Sequence, residues 1–150
     1  MRVIIQRVNK ASVKINGKLY SQIKSGLLIF LGIENSDNND DVEWLCRKII
    51  GLRILNDSEG VMNLSINEIN GEIMVVSQFT LFASSKKGNR PSYVRAAKPE
   101  YAMPLYEKFI KKLELISGLS VKSGQFGADM KIDLINNGPV TIMIDTKNKE

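Results

Sequence analysis

The sequence predicts an α+β protein: a compact single domain over residues 1–150, in which a mostly antiparallel, barrel-like sheet of about seven strands carries two main helices. Three observations lead to this class. The first third of the chain either alternates apolar and polar residues or runs apolar in strand-length pieces. Two later segments repeat apolar residues at helical spacing. No repeat, low-complexity tract or linker separates these regions.

Val13 and Ile15 alternate with polar neighbours, Asn16-Gly17 has the composition of a two-residue hairpin turn, and Leu19 and Ile23 resume the pattern. Gly26 to Ile33 is the longest apolar run and reads as a strand buried on both faces. The polar stretch Asn35 to Asp40 supplies capping oxygens for a helix. Its core stripe is Val42, Leu45, Cys46 and Ile49, at i, i+3, i+4 and i+7, and Gly51 stops it. Leu52 to Leu55 and Ile73 to Val76 are expected as short strands, separated by turns at Asn56 to Gly60 and at Asn70-Gly71. A polar, basic loop spans Ser84 to Pro91. The second helix is expected from Pro99, with Ala102, Leu105, Phe109, Ile110 and Leu113 facing the core, Pro104 accommodated early, and Ser117-Gly118 at its end. Strands at Leu119 to Val121, Met130 to Ile135 and Val140 to Ile144 complete the set.

Composition excludes several classes. A chain of 150 residues with 43% apolar and 25% charged residues is globular and long enough to bury about two thirds of its unfolded surface. No run approaches the ~20 apolar residues that span a bilayer, and Met1 to Arg7 lacks a secretory pattern, so neither membrane insertion nor export is expected. The single cysteine, Cys46, has no internal disulfide partner, which fits a reducing, cytoplasmic setting. A net charge of +5 and a pI near 9.3 favour a polyanionic partner. There is no histidine. That removes Ser-His-Asp and Cys-His chemistry. A catalytic zinc ion is disfavoured because only one cysteine and carboxylates remain as ligands, and no cofactor is expected.

Two segments concentrate chemically useful groups. Ser77-Gln78-Phe79-Thr80-Leu81-Phe82-Ala83 follows directly on an apolar strand, so its hydroxyls, amide and turn N–H groups would be held by a rigid scaffold. The alternative is a strand end whose hydroxyls cap the next turn. Asn136-Asn137-Gly138-Pro139-Val140-Thr141 contains a Gly-Pro bond, for which the cis form costs little, although base rates favour a trans hairpin turn between two strands.

Taken together, these segments resemble the signature pair of the D-aminoacyl-tRNA deacylases, the D-tyrosyl-tRNA deacylase family. The resemblance runs nearly end to end and includes Met1-Arg2-Val3-Ile4-Ile5-Gln6-Arg7-Val8, Gly88-Asn89-Arg90-Pro91 and Gln125-Phe126-Gly127-Ala128-Asp129-Met130. It implies that family's fold, and hydrolysis of the ester of D-aminoacyl-tRNA as chiral proofreading in translation. Ser77, Gln78, Phe79 and Thr80 would line the pocket for the aminoacylated terminal adenosine. Gly138-Pro139 would be a cis dipeptide reaching into the other subunit of a homodimer, held by Arg7. Gln125, Phe126 and Gly127 would sit beside the adenosine. The implied partner is aminoacylated tRNA, rather than DNA or a membrane.

The chemistry then has to proceed without histidine. An aminoacyl ester is already activated, and one preorganised oxyanion donor is worth about 3–4 kcal/mol. The backbone N–H groups near Phe79 and Thr80 are the candidates, with the adjacent ribose hydroxyl of the tRNA assisting water. The rival is covalent catalysis by Thr80 or Ser77, which needs an activating partner such as Asp129, Asp133 or a lysine. If Gly138 and Pro139 crowd the side an L-residue would occupy, glycyl-tRNA should also be cleaved. Lys86, Lys87 and Arg90 are candidate phosphate contacts in one loop, followed by Arg95 and Lys98. The run Lys108, Lys111 and Lys112 reads as a solvated helix face. Two other classes compete: a non-catalytic RNA-binding module, for which only 7% aromatic residues is poor support, and a small-molecule hydrolase or deaminase.

Overall fold

In the computed structural model, which describes residues 1–149, the chain is built around its first strand, β1 (Arg2–Ile15). A two-residue turn in which both Asn16 and Gly17 have positive φ returns the chain antiparallel as β2 (Lys18–Ile23). This is the backbone geometry that favours Asn-Gly in hairpins. β3 (Gly26–Gly32) then pairs antiparallel with the first half of β1, so β2 and β3 share one edge of that strand.

Helix α1 (Asn39–Ile50) starts where the sequence predicts. The Asn38 side chain accepts from the Asp40 and Asp41 amides, and Asp41 accepts from the Asn38 amide, a reciprocal capping box. Val42, Leu45, Cys46 and Ile49 are buried as their spacing demands. Gly51 ends the helix in right-handed conformation rather than through a left-handed turn. Burial pushes the Cys46 thiol up to about 12, so it packs as a neutral side chain.

The next region differs from expectation. Leu52 to Ile54 are not strand; only Leu55–Asn56 (β4) pairs, antiparallel with β5 (Met62–Leu64), which the sequence pattern did not mark. The turn between them is organised by the Asp57 carboxylate, which accepts from the Glu59 and Val61 amides. β6 (Glu72–Ser77) follows and lies parallel to β3. After a single 3₁₀ turn (Phe79–Phe82) and a loop comes α2 (Pro99–Ser117), with Pro99 in its first turn and left-handed Gly118 after it. Tyr106 is buried in α2 where Leu105 and Ile110 were expected, and those two are half-buried. β7 (Val121–Ser123) begins two residues later than predicted and lies parallel to β6.

The largest correction concerns the C-terminal region. Met130 to Ile135 and Val140 to Ile144 are not two strands joined by a hairpin turn. They form one continuous strand, β8 (Met130–Asp145), antiparallel to β1 from Ile15↔Met130 through Arg2↔Asp145. The register shifts between Gln6 and Lys10, where Gly138-Pro139 passes, and the bond before Pro139 is cis. Six of the strands give a mixed sheet of order β2-β1-β3-β6-β7, with β8 on β1, and β4 and β5 pair apart from it. Ser21 of β2 donates to the Ser123 carbonyl of β7 at 2.7 Å, bringing the two ends of the sheet together into a nearly closed barrel.

Each central strand is therefore apolar on both sides. Leu28, Met74 and Val76 point inward with Val8, Ala11 and Val13. Leu27, Ile29, Leu31, Ile73 and Val75 point outward against α1 and α2. Among the described residues no helix is long and apolar enough to cross a membrane.

A partly buried charge cluster ties the chain ends to the start of α1 and the residues before it. The Met1 ammonium contacts Asp37 and Thr146, and Lys147 reaches Asp41 at 2.7 Å. Burial raises the Asp41 carboxyl, but hydrogen bonds from Lys147, Thr146 and the Asn38 amide outweigh it and hold the group below its ordinary value. A depressed carboxyl stabilises the fold above its unfolded pKa and loses that contribution as pH falls through the folded value. Urea unfolding of Asp41→Asn should therefore show a deficit against wild type at neutral pH that shrinks below about pH 4. A deficit constant with pH would remove the linkage.

Candidate active site

β6 delivers the first signature segment. Ser77 is its last residue, and the Gln78 amide continues the ladder by donating to the Leu31 carbonyl at 2.7 Å. The chain then tightens into the 3₁₀ turn, with Leu81 donating to Gln78 and Ala83 to Thr80. This turn lies close against β3 because Gly32 faces it. A Cβ there would come within 3.0 Å of the Gln78 carbonyl and of the Leu81 side chain. The first amides of such a turn, Phe79 and Thr80, have no acceptor within it. Gln78 makes no side-chain cap to them; its amide nitrogen contacts the Thr80 hydroxyl instead.

A cavity of about 590 Å³ opens beside this segment. Ser77, Gln78 and Phe79 form one wall, and Phe126, Gly127 and Ala128 another. Two of the sequence-predicted groups thus meet across one space. Thr80 and Gln125 do not line it; the Gln125 carbonyl accepts from the Ala128 amide and shapes the turn that presents Phe126. The floor includes Ala102 and Tyr106, neither of which the sequence pattern marked as a site residue. Tyr106 donates to the Val75 carbonyl at 2.9 Å and its ring lies 5.6 Å from that of Phe126. It therefore joins the strand carrying Ser77 to the loop carrying Phe126. Burial raises its phenol well above the ordinary tyrosine value. The sequence signal for Tyr106 was its place on the apolar face of α2, four residues after Ala102.

Gly138-Pro139 lies elsewhere. Both residues are exposed and outside the cavity lining of their own chain. Arg7, only 6% exposed, holds this segment. Its guanidinium donates to the Asn137 carbonyl at 3.0 Å, the Ile54 carbonyl at 2.9 Å and the Asn56 side chain at 2.7 Å. Gly138 has φ near 120°, and a Cβ there would fall 2.6 Å from the arginine, so only glycine fits.

The hydroxyls lack an evident activator. Asp133 pairs with Lys14 and Asp129 with Lys131; among the described residues neither carboxylate hydrogen-bonds to Ser77 or Thr80. No cluster of three or more metal-ligating side chains occurs among the described residues either. Lys86, Lys87 and Arg90 are exposed in the loop after the 3₁₀ turn, whose ends are joined by two hydrogen bonds between Ser84 and Ser92. Lys108 and Lys112 instead bond Asn39 and Glu43 and tie α2 to α1, and Arg95 pairs with Glu34.

Residues 4–145 match the family described as D-Tyr-tRNA(Tyr) deacylase. A D-aminoacyl-tRNA deacylase of Bacteroides fragilis (strain YCH46) is 61% identical over 150 residues, covering all of both chains. One from Flavobacterium psychrophilum is also 61% identical over the full length of both. Among solved structures, the c-Myc DNA Unwinding Element Binding Protein superposes with a TM-score of 0.92 at 37% identity, over 97% of this chain and 99% of that one. A probable eukaryotic D-amino acid tRNA deacylase superposes with a TM-score of 0.82 over 95% and 97%; at 17% identity it bears on the fold alone.

The role of Tyr106 is separable by substitution. Tyr106→Phe keeps the ring, and the Val75 carbonyl retains the Gly124 amide, so a loss of only about 1 kcal/mol is expected. Tyr106→Ala should cost about 3–5 kcal/mol by urea unfolding. Equal losses in the two variants would show that the ring contributes nothing.

Proposed function

The chain belongs to the D-Tyr-tRNA(Tyr) deacylase family, and we propose that it hydrolyses the ester of D-aminoacyl-tRNA in the cytoplasm, releasing free amino acid and tRNA. The observation that carries this reading is the single cavity on which Ser77-Gln78-Phe79 and Phe126-Gly127 converge. It has aromatic and aliphatic walls suited to a nucleoside and a polar edge suited to an ester.

The protein acts as a homodimer in which Gly138-Pro139 of one subunit completes the cavity of the other. Two facts support this: the dipeptide is exposed, and it is absent from its own chain's cavity wall. Arg7 fixes its position. Handedness is selected by exclusion: Gly138 and Pro139 occupy the side an L side chain would need, so the D-residue is admitted rather than gripped. A site of that kind cannot exclude a residue with no side chain, and glycyl-tRNA is admitted as well.

Catalysis rests on positioning and on backbone dipoles. The Phe79 and Thr80 amides stabilise the oxyanion, and the ribose hydroxyl beside the ester assists the attacking water. The arrangement around Thr80 supports this over covalent catalysis. Its hydroxyl is in contact with the Gln78 amide nitrogen, a donor that cannot accept a proton. Lys86, Lys87 and Arg90 contact tRNA phosphates next to the cavity.

Three measurements test the reading. D-tyrosyl-, L-tyrosyl- and glycyl-tRNA are incubated with the protein and a chelator, and ester loss is followed. The D-form and the glycyl form should be cleaved and the L-form spared. An inert D-form would sink the reading, whereas a resistant glycyl-tRNA would mean that selection rests on a positive side-chain contact. Thr80→Ala should keep its single-turnover rate within about tenfold; a loss of about a thousandfold with tRNA binding intact would identify a nucleophile. Replacing Lys86 and Lys87 together by alanine should flatten the salt dependence of tRNA affinity by roughly one unit per lost contact. An unchanged slope would take the loop out of the footprint.

A further inference from the structure

Phe79 and Tyr93 are the two most exposed aromatic residues lining the cavity, at 57% and 40%, and Val94 beside them is 83% exposed. Their rings meet edge to face, 5.1 Å apart at 75°. Both are held by backbone. Phe79 opens the hydrogen-bonded 3₁₀ turn, and Tyr93 follows the Ser84–Ser92 ladder and accepts from the Ala96 amide at 3.0 Å. A fixed, half-bare aromatic pair is an apolar surface maintained against water. It adjoins the loop that carries Lys86, Lys87 and Arg90.

We propose that the Phe79–Tyr93 pair is a stacking shelf for the unpaired base of the nucleotide that immediately precedes the terminal adenosine of the substrate. This rests on the deacylase reading, which puts that adenosine in the cavity. The preceding nucleotide must then leave through the cavity mouth, where the pair lies. Its phosphate is attracted to the adjacent cations, and its base meets a ring face. Stacking of this kind needs no hydrogen-bond readout, because every base presents a π-face. The shelf lets the enzyme hold the acceptor end without reading its sequence.

The test compares two substrates: a D-aminoacylated tRNA, and the D-aminoacyl ester of adenosine alone, which lacks the preceding nucleotide. Tyr93→Ala should raise KM for the tRNA about tenfold more than for the nucleoside ester, with kcat for the tRNA little changed, while Tyr93→Phe behaves as wild type. A tRNA made abasic at the preceding position should reproduce the loss with the unaltered protein, and Tyr93→Ala should add nothing further to it. Equal losses on both substrates, or additive losses from abasic site and variant, overturn the shelf. So does sedimentation of Tyr93→Ala as a smaller species, which would mean the rings are covered by a second copy of the chain. Failure of the unaltered protein to cleave either ester would instead remove the deacylase reading itself.

Discussion

The architecture depends on one buried guanidinium. Arg7 sits in β1 where the pairing with β8 changes register, and it donates to Asn137, Ile54 and Asn56 at once. An arginine in that position is costly unless its donors are matched, and here they meet two backbone carbonyls and an amide oxygen. In return it joins three parts of the chain that are distant in sequence: the first strand, the approach to the β4–β5 hairpin, and the Gly138-Pro139 segment. With the register shift fixed there, β8 can pair along the full length of β1 on both sides of the interruption. That pairing presents Gly138-Pro139 at the surface instead of folding it into a turn.

A second constraint operates at β6, inside the sheet. β6 is parallel to both neighbours and apolar on both faces, so its C-terminal end projects from the most rigid part of the fold. Ser77 and Gln78 inherit that rigidity, and Gly32 lets the following turn settle against β3. Tyr106 then connects the same strand to Phe126. The cavity is thus walled by groups whose positions are set by the sheet and by α2.

Much of this was legible in the sequence. The Asn16-Gly17 hairpin, the capping box of α1, its buried stripe and the Pro99 start of α2 follow from local chemistry that reads the same in any context. The segment around Ser77 was marked as a pocket wall by the family resemblance, since local chemistry alone equally allowed a strand end whose hydroxyls cap the next turn. The misses share a cause. The straight path through Asn136-Asn137-Gly138-Pro139 goes with pairing to β1 and a hydrogen bond from Arg7, about 130 residues away in sequence, whereas turn residues alone suggest a hairpin. β5 pairs across a turn that the Asp57 carboxylate organises. Tyr106 reads as one more apolar position until its hydroxyl is seen to reach Val75.

On the proposed reading, Arg7 governs discrimination between D- and L-residues through the segment it holds. The most direct measurement is the ratio of D-tyrosyl-tRNA to L-tyrosyl-tRNA hydrolysis by an Arg7→Lys protein whose circular dichroism matches wild type. Lysine keeps the charge but loses the forked donors, so the ratio should fall by about tenfold or more. A folded variant with the wild-type ratio would contradict the account.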